Sequence, residues 1–225
     1  MGQAIGDILP LAIGVAASPL PISAVILMLF GPNARTTGPA FVLGWVLALA
    51  VVGAFVITVA DTSDVSSEQG PADVVFALKL LVGLLLLVLA VRQWRSRPKE
   101  GEKPDVPGWM SAIDEFTALR AFGMAVLLAG VNPKNLGLTL AAGSAIALTG
   151  LTGAEPWIVL LIFVALASVT VVLPVAYYLV AGDSATRTLD SMKTWLISNN
   201  ATIMSVLLLI IGAMLVGDGM GGLTS

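Results

Sequence analysis

Ala17-Ser18-Pro19-Leu20-Pro21 and Val131-Asn132-Pro133-Lys134-Asn135 each set a helix-start signal in the middle of an apolar run. Ser and Asn are favoured just before a helix, and Pro at its first residue. Inside a bilayer, such a signal predicts a helix that breaks and restarts. A restarted helix presents unpaired N–H groups and the positive end of its dipole to its surroundings. Two such ends near the bilayer centre, one bearing a lysine, point to a binding site for an anionic group, an arrangement used by secondary transporters. The alternative is a pair of proline kinks without a ligand, which membrane helices tolerate.

The apolar runs themselves set the class. The chain has 225 residues, 57% of them hydrophobic and 11% charged, against roughly 25% charged in an average soluble domain. Its mean hydropathy is +0.98. A span needs about 20 apolar residues, and six runs qualify: 8–30, 39–60, 72–91, 121–148, 156–181 and 196–216. The expected fold is therefore an all-α membrane protein of six transmembrane helices in a single domain spanning 1–225. There are no cysteines and no histidines. Disulfides, thiol chemistry, imidazole catalysis and Cys or His metal sites are excluded, and neither a metal nor a cofactor is expected. HExxH, Walker and Gly-x-Ser-x-Gly motifs are absent, as are paired mid-span aspartates, so the chain is not expected to be an enzyme. No nucleic-acid partner is expected either. The first residues lack the basic region of a signal peptide and the Ser or Thr of a myristoylation signal, so the first run reads as a retained helix.

Apart from Lys79 and Lys134, which fall inside the apolar runs, basic residues lie on one side only. Arg35 follows the first run, Arg92, Arg95, Arg97, Lys99, Lys103 and Arg120 follow the third, and Arg187 and Lys193 follow the fifth. The other side carries Asp7, Asp61, Asp64, Glu68, Asp73, Glu155 and Asp218. The positive-inside rule then places both termini outside the inner (plasma) membrane. Helices one and four run in opposite directions, and aligning Ser18-Pro19 on Asn132-Pro133 puts the two breaks at equivalent places. That pattern predicts a three-plus-three inverted repeat, with half-repeats 1–95 and 121–217 around a cytoplasmic loop at 96–120. Short helices on the inner surface are expected at 109–120 and 183–195, each with the alternative of an extension of the neighbouring span.

Lys134 is the strongest site candidate. It lies about 13 residues into its span, roughly 20 Å from the end at 1.5 Å per residue, too deep to reach either headgroup layer comfortably. A lysine there faces a cavity or a partner, and no acidic residue sits mid-span to pair with it. Its counter-charge could be a ligand carboxylate, sulfate or phosphate. Two alternatives stay open: Lys134 donates to carbonyls freed by the break, or it sits neutral and couples transport to protons. Asn132, Asn135 and Ser18 are substrate-binding candidates by the same geometry, unless they are occupied as caps. Pro19, Pro21 and Pro133 set the breaks. Lys79 reads as the member of an ion pair near the outer surface, with a role in the substrate path as its alternative. Ser168, Thr170 and Tyr177 could line that path, or serve as helix glue and interfacial anchors. Gly14, Gly44, Gly53, Gly83 and Gly212 read as close helix packing, which would also suit a homodimer.

The Ser-Pro-Leu-Pro break, the charged loop leading to Trp109 and Ile113-Asp114, and Asn132-Pro133-Lys134-Asn135-Leu136 together resemble the actinobacterial GAP/Sap family. These are the glycopeptidolipid- and sulfolipid-addressing proteins of mycobacteria, within the LysE-like exporter superfamily. The resemblance covers nearly the whole chain. It implies movement of a cell-envelope glycolipid or its precursor across the inner membrane, beside a larger lipid transporter. The relatives that reduce disulfides use a cysteine pair, which this chain lacks. The reading is thus an exporter of an anionic small molecule or glycolipid, working amid membrane lipids and binding between helices one and four. Its competitors are a non-transporting accessory of a glycolipid export machine and an amino-acid exporter of LysE type.

Overall fold

The computed structural model describes residues 1–62, 72–97 and 116–223. Among these the chain forms eight α-helices and no strand. The first two are α1 (Gly2–Ala16) and α2 (Pro19–Phe30), followed by α3 (Ala34–Thr62) and α4 (Ala72–Arg95). Then come α5 (Ala118–Val126), a wide π-helical turn at Leu127–Val131, α6 (Pro133–Ala147), α7 (Glu155–Ala181), a 3-10 turn at Gly182–Ala185, and α8 (Thr186–Leu223).

Among the described residues three helical segments are long and apolar enough to cross a membrane: Ala34–Val59, Glu155–Ala181 and Ser198–Gly221. The pair α1 and α2, bent by 51° at its junction, makes a fourth if counted as one span. Their side chains fit that setting. Val51, Phe55 and Leu161 are each more than 60% exposed, and Val180 is 90% exposed. Helices that show large apolar residues outward, over a core that is itself apolar, are surrounded by lipid rather than water. The chain is a membrane protein.

The helices divide into two compact units. One contains α1–α3, α5–α7 and the start of α8; the other contains α4 and the remainder of α8. In the first unit α3 packs on α5 and α6, α7 packs on α1 and α2, and α3 and α7 also meet. Trp45, Phe41 and Phe163 are fully enclosed there. Glycine sets how near the helices come. A Cβ at Gly44 would stand 2.5 Å from the backbone carbonyl of Phe122, and one at Gly53 would strike Leu160. In the second unit the partners are Gly83 and Gly212, where a Cβ on either would lie within 3.0 Å of the other's carbonyl oxygen. Such small-residue contacts let membrane helices approach backbone to backbone.

Helix limits differ from expectation at several points. The first helix begins at Gly2 rather than near residue 8. The stretch 183–195 does not form a separate surface helix, since α8 runs unbroken from Thr186 to Leu223. Nothing at 196–198 interrupts the backbone hydrogen bonds, so the first turns continue the span. Of the other expected surface helix, 109–115 lies outside the described residues.

Gly44→Ala should lower stability by about 1–3 kcal/mol, the usual effect of overpacking, because the obstacle at Phe122 is backbone and cannot rotate away. Gly137→Ala, with nothing within 4 Å of the added atom, should be neutral. Thermal melting of both variants in detergent checks this, and equal melting would refute the close approach of α3 to α5.

Candidate functional site

Breaking a helix strands its last carbonyls, and in α1 those belong to Gly14, Val15 and Ala16. In an unbroken helix they would accept from the N–H groups of residues 18, 19 and 20. Pro19 has no N–H, and the chain turns before the others can serve. Three side chains take over. Lys134 Nζ donates to Gly14 O at 2.8 Å, Ser18 Oγ lies 2.7 Å from Val15 O, and Thr170 Oγ1 donates to Ala16 O at 2.6 Å. The donors come from α6, from the break itself and from α7.

The second break repeats the problem. In the π turn, Asn132 N donates to Leu127 O, five residues back. Continuing that pattern, Leu128 O would need the N–H of residue 133, which is proline. Asn135 Nδ2 donates to Leu128 O instead, at 2.9 Å. Asn132 caps the restarted helix, its Oδ1 accepting from Lys134 N at 3.1 Å. Pro133 then occupies the first position of α6, where its missing N–H is harmless.

Ser18 joins the two breaks. Its hydroxyl accepts from Lys134 Nζ at 2.7 Å. Its single proton has two acceptors in range, Val15 O and Asn135 Oδ1, the latter at 3.0 Å. Ser18 and Asn135 are buried, and Thr139 Oγ1 donates to Asn135 O at 2.8 Å to close the cluster. The electrostatics agree with this arrangement. The C-terminus of α1 is the negative end of its dipole, and a cation there is stabilising. Lys134 grows from the positive end of α6 and carries its charge across to that negative end.

Ser18, Asn132, Lys134 and Asn135 thus come together, with Pro19, Pro21 and Pro133 shaping the breaks. Ser18 does not cap α2, because its hydroxyl bonds backward to α1. Pro21 holds the third position of α2, where a capping side chain often finds its N–H, and it has none to give. Thr170, expected along a path, is instead a carbonyl cap on α1. Ser168 is buried with its hydroxyl unpartnered among the described residues, and Tyr177 is exposed on α7. The side chain of Lys79 lies outside the described residues. Among the described residues no carboxylate pairs with Lys134, and no group of three or more Asp or Glu could hold a metal ion.

A family model described as Sap, sulfolipid-1-addressing protein, matches residues 8–221, and the chain belongs to that family. No curated protein and no solved structure matches it.

Ser18→Ala and Asn135→Leu should each lower stability by about 1–2 kcal/mol through lost hydrogen bonds. Their combination should cost less than the sum, since both act through one hydroxyl. Thr170→Val should add independently to either. Reversible unfolding in detergent measures all three. Strict additivity of Ser18→Ala with Asn135→Leu would contradict the shared cluster.

Proposed function

We propose that the protein is a secondary transporter of the inner membrane that moves an anionic lipid or its precursor, gripping the headgroup at Lys134. The observation that carries this reading is a lysine ammonium between two helix breaks with only neutral acceptors around it. Two of its three N–H groups meet Gly14 O and Ser18 Oγ. A charged oxygen makes a stronger hydrogen bond with an ammonium than a neutral carbonyl or hydroxyl does. A sulfate, phosphate or carboxylate entering here would therefore compete for Lys134 and loosen its hold on α1. A ligand that prefers one arrangement of the breaks over another shifts the balance between them, which is the requirement for alternating access. The family's description as sulfolipid-addressing supports a lipid among such anions.

In this reading α1–α2 and α5–α6 are two broken spans, and with α3, α4, α7 and α8 they complete six. The halves form an inverted repeat, with α1–α2 equivalent to α5–α6, α3 to α7 and α4 to α8. The packing supports that pairing, because each broken helix lies against the long helix of the other half: α1 and α2 on α7, α5 and α6 on α3. Both termini face outward, by the distribution of Arg and Lys. Substrate enters between the breaks, and rocking of one half against the other exposes it to alternate sides.

A second reading has one observation in its favour. The bonds from Lys134 to Gly14 and Ser18 are also what a purely structural lysine would make, and a rigid protein would serve as an accessory to a separate export machine. Deleting 96–106 should leave transport intact if the chain itself transports, and should abolish export if the loop recruits a partner.

Lys134→Met should reduce lipid movement in proteoliposomes by at least about tenfold, the worth of one hydrogen bond to a charged group. Lys134→Arg, which keeps the charge, should retain part of it and serves as the control for folding. Normal transport by a stably folded Lys134→Met protein would overturn the proposal.

A further inference from the structure

A second polar feature lies at the far end of α2. The helix has 12 residues, so Phe30 stands about 18 Å along its axis from the break at 1.5 Å per residue. There α2 and the start of α8 enclose a cleft of about 930 Å³. Its walls differ in character. Leu27 and Phe30 supply an apolar side, while Ser184, Thr188, Arg187 and Lys193 supply hydroxyls and cations. Lys193 Nζ sits 5.0 Å from the centre of the Phe30 ring, a cation–π contact that holds the ammonium over the apolar wall. Lys193 also pairs with Asp190 at 2.7 Å, and Asp190 lines the same cleft. Arg187 is exposed. Among the described lining residues two cations exceed one carboxylate, and the first turn of α8 adds the positive end of its dipole.

The cleft continues the apolar surface of the same end of the fold. The start of α3 and the end of α7 meet α2 there, and a Cβ at Gly38 would touch both Leu29 and Val175. Between α3 and α7 runs a second cleft of about 400 Å³ with walls that include Val42, Val46, Val172 and Leu179. A hollow that sets Arg187 and Lys193 against the apolar side chains of Leu27 and Phe30 matches a molecule with an anionic head and hydrocarbon tails. Basic residues at a membrane surface bind such headgroups, and Arg with Lys and hydroxyls suits a phosphate or sulfate ester.

We infer that the cleft between the end of α2 and the start of α8 is a binding site for an anionic lipid headgroup, held by Arg187 and Lys193 with Ser184 and Thr188. It takes its ligand class from the lipid-transport reading, but none of its residues belongs to the cluster at Lys134. Asp190 opposes the ligand and limits its affinity. A lipid captured here is one helix length from the break, at the same face of the membrane as the basic loops.

The test uses the full chain in phosphatidylcholine nanodiscs doped with phosphatidic acid, with bound lipid counted by native mass spectrometry. Wild type should retain phosphatidic acid in preference to phosphatidylcholine. Arg187→Gln with Lys193→Gln should weaken retention by about thirtyfold, the combined effect of two basic residues at an anionic surface. Asp190→Asn should strengthen it by about fivefold on the same scale. That variant keeps both cations, and an i,i+3 pair whose carboxylate is 60% exposed contributes little to folding. Inorganic phosphate should not displace the lipid, because it cannot use the apolar wall. Unchanged retention in the double variant, weaker retention in Asp190→Asn, or displacement by inorganic phosphate would overturn the site. If Lys134→Met loses the lipid while the double variant keeps it, the cleft is excluded and the lipid reading stands.

Discussion

A carbonyl freed inside a bilayer has no water to accept from, and leaving it unpaired costs several kcal/mol. Every feature of the Lys134 cluster follows from that constraint. Prolines at 19 and 133 remove the amides that would have served Val15 and Leu128, and Ser18 and Asn135 replace them, while Lys134 and Thr170 serve the freed carbonyls of Gly14 and Ala16. Two of the replacements, Lys134 from α6 and Thr170 from α7, come from other elements, so the first break is not satisfied by its own residues alone. Satisfying the end of α1 needs α6 and α7 in place, and satisfying the π turn before α6 needs the side chain of Asn135. The breaks are therefore points of attachment between helices rather than points of weakness within them.

Such an attachment is strong but exchangeable. The hydrogen bonds from Lys134 go to neutral oxygens, and a charged oxygen can replace them without leaving the ammonium bare. By contrast, the packing of α3 is fixed by close approaches at Gly44 to the Phe122 carbonyl and at Gly53 to the Leu160 side chain, where even a methyl group would collide. In the proposed transporter the exchangeable bonds of Lys134 would supply the two-state element, set among packed helices that slide or hold but do not stretch. The position of the charge makes the same point. Lys134 stabilises the negative end of α1 only while it reaches across, so loss of that reach weakens the contact between α6 and α1.

Much of this was legible in the sequence, and the limits are instructive. The breaks were visible because Ser-Pro and Asn-Pro are local signals, and Asn132 caps α6 as those signals require. Lys134 stands out in the sequence by its depth in an apolar run, and the structure places its Nζ on Gly14 O and Ser18 Oγ. Donation to a carbonyl freed by the break was one of three open readings, and Gly14 itself could not be named, because the partner lies 120 residues away and no local rule selects it. Ser18 turned backward rather than forward because Pro21 takes away an amide that a forward cap would use, an effect readable in the sequence but outweighed there by the general preference of serine for caps. Thr170 gave no signal that separated a carbonyl cap from a pore-lining hydroxyl. The continuity of α8 through 186–197 was also ambiguous, since Leu189, Met192 and Trp195 suit a surface helix as well as the end of a span. The cleft at Arg187 and Lys193 was absent from the sequence reading because it forms only when α2 returns beside α8.

The most direct measurement is the distance from the side-chain nitrogen of Lys134 to the carbonyl carbon of Gly14. Solid-state NMR in lipid bilayers, with isotopic labels at lysine side-chain nitrogens and glycine carbonyls, reads it as a dephasing that must vanish in Lys134→Met. The N···O separation of 2.8 Å together with an ordinary C=O bond places that carbon at about 3.7 Å from the nitrogen. Dephasing at that distance, lost in the variant, is the expected result. Absence of any glycine carbonyl near the Lys134 nitrogen would mean that the breaks are satisfied some other way, and the account of the site would fail.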